Sequence, residues 1–297
     1  MRVEWIDRLK AIAILMVIAV HVSQVLTLPT WLHLSASFGA MGVQLFFLLS
    51  AYCLCMTWRN NPISIRYWIH KYKRLAPWYI VGICLYAVSW FGVGDTEKIE
   101  AFTVPNVVSN ILLVNSFFPE AQNSIVPGGW SISCIALFVF AAPLFMCRLT
   151  IKTAVALLLI GCAGVIFSVI GYRCMGWSRF YAYCSPFNQT IVLAIGIFYW
   201  TLREQINKKI NINAAFVIGI IFFLGSIASV VLSREYAIFY RHILVSVAFV
   251  AFMSVSSRLR TQSRYIGDSL LLWIGRHSYE IFILHFAAIW SVKRMFA

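Results

Sequence analysis

His21 closes ten uninterrupted apolar residues, Ala11–Val20, which follow the charged run Asp7-Arg8-Leu9-Lys10. On an α-helix, Lys10 and His21 stand about three turns apart on nearly one face, roughly 16 Å along the axis. An imidazole takes up a proton near neutral pH, and an ammonium group holds an anion such as phosphate. The spacing therefore puts a cation at the entry to an apolar layer and a titratable base inside it. A second histidine, His285, follows the run Ser278-Tyr279-Glu280-Ile281-Phe282-Ile283-Leu284 near the end of the sequence. His277 reads as a solvated loop residue.

Other groups surround this pair in sequence. Gly42–Tyr52 carries Gln44, Ser50 and Tyr52 on an apolar segment, and these three are expected to form a polar pocket facing His21. The same segment reads equally as a packed helix whose Gly39 and Gly42 admit a close neighbour. Arg66–Pro77 is basic and amphipathic; Lys71 and Arg74 in it suit anionic head groups or the phosphates of a soluble donor. Pro127-Gly128-Gly129 predicts a sharp turn, followed by Trp130 as an interfacial anchor. Ser131 and Ser133 then stand near a helix start, where a hydroxyl caps free N–H groups or an anion binds.

These residues must be positioned by membrane helices. The 297-residue chain is 61% hydrophobic and only 11% charged, where a soluble domain carries about a quarter charged residues. Its fold class is an all-α polytopic membrane protein, a single integral-membrane domain over residues 1–297. Nine spans are expected, near 9–28, 38–57, 76–94, 129–147, 153–171, 188–202, 212–232, 238–256 and 278–296. The apolar stretch 107–118 is short and bounded by prolines, so it reads as re-entrant or interfacial; if it spans, the count becomes ten. Nine spans with a cytoplasmic N-terminus put most Lys and Arg side chains inside, among them Arg2, Arg59, Arg260 and Arg264, as the positive-inside rule requires.

The net charge of +14 is thereby a topology signal, and nucleic acid is not an expected partner. The first span lacks a small-residue cleavage pattern and reads as retained. Cys53 and Cys55 are too close for a zinc pair, and most cysteines lie in apolar spans, so no metal site is expected. Cys174 and Cys184, in one polar connection, are the candidate disulfide pair. No phosphate-binding glycine loop, His-Glu-x-x-His or Gly-x-Ser-x-Gly is present. No carboxylate stands clearly at mid-membrane, which disfavours a transporter built on acidic proton relays.

Five blocks in order resemble the membrane-bound acyltransferase 3 family, across essentially the whole chain. Lys10–His21 resembles its Arg/Lys-x10-His signature, and Gly42–Tyr52 its Gly-Val-x-x-Phe-Phe-x-x-Ser-Gly-Tyr segment. Lys71–Pro77 resembles its Arg-x-x-x-Arg-x-x-Pro region, Pro127–Ser133 its Gly-Gly-Trp-Ser block, and Gly275–His285 its closing Gly-x-x-Ser-Tyr-x-x-Tyr-x-x-His. The chain departs from the pattern at Ile135 and Val139, where the family has Glu and Tyr, and at Ala51, where it has Gly.

The resemblance implies transfer of an acyl group, most often acetyl from acetyl-CoA, to a hydroxyl of an extracytoplasmic surface polysaccharide such as O-antigen, or of its lipid-linked precursor. Acetyl-CoA is then a donor substrate, not a bound cofactor. Lys10, Lys71 and Arg74 would hold its phosphates. His21 would be the general base, with Ser50, Ser131 and His285 as further catalytic candidates and Gln44, Tyr52 and Trp130 lining the acceptor pocket. The location is the inner membrane, the partners are lipid and glycan, and a homodimer is compatible. The rival readings are a carrier or exporter of acylated or lipid-linked glycans, which the missing Glu favours, and a scaffold.

Overall fold

Inside hydrocarbon each backbone N–H and C=O must be paired within its own segment, so long apolar runs fold as helices. The computed structural model describes residues 3–26, 28–58, 64–232, 235–259 and 266–295, and every regular element among them is helical. In chain order these are α1 (Glu4–Val25), α2 (Thr30–Ser37), a 3-10 turn at Phe38–Met41, α3 (Gly42–Thr57), α4 (Ile65–Val93), α5 (Thr96–Glu100) and α6 (Val104–Ile111). There follow a 3-10 turn at Asn115–Phe117, α7 (Gly129–Met146), α8 (Ile151–Cys174), α9 (Arg179–Cys184) and α10 (Pro186–Lys209). The chain continues with α11 (Ile212–Leu232), α12 (Ala237–Arg258), α13 (Ile266–Arg276) and α14 (Ser278–Met295).

Six helices among the described residues are long and apolar enough to cross a membrane: Thr30–Thr57, Ile65–Val93, Gly129–Met146, Ile151–Cys174, Ile212–Val230 and Ala237–Arg258. The other three expected spans fall on α1, α10 and α14, of 22, 24 and 18 residues. The chain is thus an all-α, multi-pass membrane protein. The inner-side charges Arg2, Arg59, Arg260 and Arg264 lie outside the described residues.

Polar residues punctuate the helices as their chemistry predicts. The side chains of Ser64, Asp95, Thr103, Thr150 and Ser178 each accept a backbone N–H in the first turn of α4, α5, α6, α8 and α9, satisfying donors that a helix start leaves without an intrahelical partner. Gly94, at φ +70°, ends α4 in the left-handed conformation that glycine adopts without strain.

Two expectations are corrected. The basic stretch 66–77 is the first part of α4 itself, whose 29 residues run about 44 Å and so outreach a hydrocarbon core of about 30 Å. Cys174 and Cys184 are not bridged; all eight cysteines are free.

The helices group into two compact units, one built from Met1–Cys53, Val192–His285 and Ser291–Ala297, the other from Leu54–Ile191 and Phe286–Trp290. In the first unit α1 is clasped at two levels. A Cβ on Gly39 would overlap the Met16 carbonyl, one on Gly42 the Ala13 carbonyl, and one on Gly275 of α13 the Asp7 carbonyl. These contacts bring backbone against backbone, as small residues do between membrane helices. The loop between α10 and α11 is closed from α12: Arg258 donates from Nη1 to the Ile210 carbonyl at 2.6 Å and from Nε to the Ser254 carbonyl at 3.0 Å.

In the second unit the connection between α4 and α7 folds into a buried polar knot. Tyr79 donates to Asn110 Oδ1 at 2.8 Å, Asn115 donates from Nδ2 to the Gln122 carbonyl at 3.1 Å, and the hydroxyls of Ser116 and Ser133 meet at 2.7 Å. The stretch expected to be too short to span, 107–118, is this knot: α6, a turn through Leu113 at φ +58°, and the 3-10 turn.

Candidate active site

The first unit brings His21 and His285 together, from α1 and α14, with ring centroids 5.2 Å apart. His285 is 5% exposed and His21 half-buried. Each ring is oriented through Nδ1. His285 Nδ1 lies 2.6 Å from the Phe282 carbonyl, and His21 Nδ1 lies 3.0 Å from Gln24 Oε1. The Phe282 carbonyl can only accept, so a neutral His285 carries its proton on Nδ1 and its lone pair on Nε2; the same tautomer of His21 has Gln24 Oε1 as its acceptor. Phe282 backs the pair, its ring 5.6 Å from that of His285 and 6.2 Å from that of Phe46 on α3.

The axial position of His21 is set from the far end of α1. Arg8 makes a two-pronged pair with Asp268 of α13, Nε to Oδ1 at 2.7 Å and Nη2 to Oδ2 at 2.9 Å, and reaches Glu4 at 3.1 Å. A bidentate guanidinium–carboxylate pair fixes orientation as well as distance. Arg276 approaches Asp7 at 3.7 Å on the same end. With the glycine contacts, these bonds fix how far α1 can slide.

The expected pocket divides by depth. Gly42 abuts Ala13 and Val17, and Phe46 reaches Phe282, so the fully buried Gln44 lies in the layer beneath the histidines. Ser50 is eight residues beyond Gly42, about 12 Å farther toward the other end of the unit. Tyr52 packs edge-on against Trp5 at 5.3 Å and Trp200 at 4.7 Å, and stacks on Tyr199 at 5.9 Å. Trp5 precedes His21 by 16 residues, about 24 Å along the helix. Ser50 and Tyr52 therefore do not face His21; they share the end of α1 that holds Lys10. Lys10 is half-exposed and takes part in no hydrogen bond or ion pair among the described residues.

Trp130, Ser131, Lys71 and Arg74 belong to the second unit. The Ser131 hydroxyl donates to the Gly128 carbonyl at 2.8 Å, and Ser133 donates to the Leu113 carbonyl at 2.9 Å. Both serines thus tie the turn and the knot, instead of presenting their protons to an anion. Gly128, at φ +79°, makes the expected turn, and Trp130 packs on Tyr183 with centroids 5.9 Å apart. Lys71 Nζ lies 5.3 Å from the centre of the Tyr67 ring, and Arg74 is exposed. Ile135, where the resemblance has Glu, is a half-buried apolar residue on α7.

Sequence reading passed over Arg241. It stands in the second turn of α12, a helix long and apolar enough to span, with Cζ 4.8 Å from the centre of the Phe38 ring. The signal was present: an arginine inside an apolar span, on the side that the charge bias leaves poor in cations.

A family model described as an acyltransferase domain matches residues 3–297. Over 143 residues the chain is 29% identical to the acyltransferase MdmB of Streptomyces mycarofaciens, a match covering 47% of this chain and 36% of that protein. The similarity thus spans little more than a third of that relative's length. No solved structure matches.

Proposed function

Because this chain belongs to the acyltransferase-domain family, we propose that it moves an acyl group, most often acetyl, from cytoplasmic acetyl-CoA to a hydroxyl of an extracytoplasmic polysaccharide or of its lipid-linked precursor. The observation that carries this reading is the His21–His285 pair, two imidazoles 5.2 Å apart with both Nδ1 atoms held by acceptors. Nε2 of His21 takes the proton of the acceptor hydroxyl as its oxygen attacks the thioester carbonyl. The carbon–sulfur bond then breaks, and the departing thiolate receives the proton from His21. His285 holds the His21 ring in register and shares the proton while the ester forms.

Lys10 stands about 16 Å from His21 along α1, a distance comparable to the pantetheine arm of CoA. The donor phosphates would bind at Lys10, and the acyl end would extend into the layer of Gln44 and the histidines. The protein works in the inner membrane with its N-terminus in the cytoplasm.

The test is transfer of acetyl-labelled acetyl-CoA into surface glycan by membranes that contain the intact chain or His21→Ala. Base-labile label that depends on His21 is the expected result. Absence of label together with absence of CoA binding would move the assignment to a carrier or scaffold.

A further inference from the structure

The end of α1 that holds Lys10 also carries a stack of flat side chains. Tyr52 ties two helices together there, meeting Trp5 of α1 and Trp200 of α10 edge-on. Trp200 therefore lies at the depth of Trp5, which precedes Lys10 by five residues, about 7.5 Å of helix. One turn on, Arg203 lies over the Trp200 indole, with Cζ 3.7 Å from the ring centre. Two acceptors fix that guanidinium: Nη1 donates to the Trp200 carbonyl at 2.7 Å and Nη2 to Glu204 Oε1 at 3.2 Å.

A guanidinium held this way has both terminal nitrogens engaged, and what it offers a ligand is its plane. The neighbouring chain does not seal the stack: the Arg203 side chain is 29% exposed, and Trp5 and Trp200 are half-buried. Flat heteroaromatic bases stack on indole and guanidinium planes. The surroundings favour a base that bears phosphate, since Lys208 and Lys209 close α10 beyond Arg203 and Lys10 stands deeper on α1. Of the acids at this level, Glu4 pairs with Arg8 and Glu204 with Arg203.

We propose that the Trp200–Arg203 stack is the nucleotide platform of the donor site, where the adenine ring of CoA lies. The proposal rests on the acyl-transfer reading and deepens it, because it names what recognises the donor apart from its acyl group. The depths follow the order of parts in the donor: base at the level of Trp5, phosphates at Lys10, thioester at His21 about 16 Å farther along α1. A platform of this kind selects free acyl-CoA over a phosphopantetheine arm borne by a carrier protein, which has no purine to stack.

The experiment uses the full chain in phosphatidylcholine nanodiscs and two binding probes, CoA and 4′-phosphopantetheine, which lacks the nucleotide. The intact chain is expected to bind CoA about tenfold more tightly than 4′-phosphopantetheine, and adenosine 3′,5′-bisphosphate is expected to compete with CoA. Trp200→Ala loses that difference and Trp200→Phe keeps most of it. Arg203→Lys, which retains the charge without the plane, loses part of it. Binding of 4′-phosphopantetheine stays the same throughout, which also shows that the variants fold. Equal binding of the two probes to the intact chain would overturn the proposal, as would undiminished CoA binding in Trp200→Ala or an equal loss of both probes. No binding of either probe refutes the CoA-donor reading and the platform with it. Trp200-dependent CoA binding without acetyl transfer to glycan refutes the acyl-transfer reading and leaves the platform standing.

Discussion

At the scale of single residues, the two halves of the proposed reaction separate along α1. Lys10→Ala is expected to raise the KM for acyl-CoA about tenfold with little change in kcat, since it removes one charge-assisted contact to the donor. His21→Ala is expected to lower transfer by about 10²–10⁴-fold while CoA still binds. Steady-state kinetics with calorimetric CoA titration distinguish the two, and loss of CoA binding in the His21 variant alone would exchange their roles. The sequence made both residues visible, because an ionisable group inside an apolar run stands out against its neighbours. It did not reveal that Ser50 and Tyr52 belong with Lys10. Depth along α3 follows from where Gly42 meets α1, a tertiary contact with no local signature.

At the scale of elements, the apolar segments were legible, since apolar length is a local property; the start of α4 was not, because the expected span begins at 76 whereas the helix capped by Ser64 runs from Ile65. The short helix α13 was not, because five apolar residues, Leu270–Ile274, do not indicate a partner. Its role is long-range. It presents Asp268 to Arg8 and the bare backbone of Gly275 to Asp7. Gly275→Ala is expected to cost about 1–3 kcal/mol, because the added methyl must displace the α1 backbone. Gly267→Ala on the same helix meets nothing within 4 Å and is expected to be neutral or stabilising. Thermal unfolding of the two purified variants in one detergent checks the contrast, and equal shifts would mean that α13 does not hold α1.

At the scale of the molecule, nine spans and ten spans place two exposed thiols oppositely. With nine, Cys174 at the end of α8 faces outward and Cys147 between α7 and α8 faces the cytoplasm; with the 107–118 stretch spanning, they exchange sides. A membrane-impermeant maleimide applied to spheroplasts is expected to label a variant that keeps Cys174 alone. A variant that keeps Cys147 alone should react only after permeabilisation. That stretch folds as a knot closed by side-chain hydrogen bonds between Ser116 and Ser133 and between Tyr79 and Asn110. The clasp on α1 has a further consequence. A helix packed at Asp7, Ala13 and Met16 against neighbouring backbones is a fixed post, and in the proposed reaction the base mounted on it would not commute between the two faces of the bilayer. In the proposed reaction the cargo would have to travel instead: the thioester would be threaded up to a stationary imidazole, and the length of its arm, not a rocking of the protein, would be the ruler that decides which donors are served.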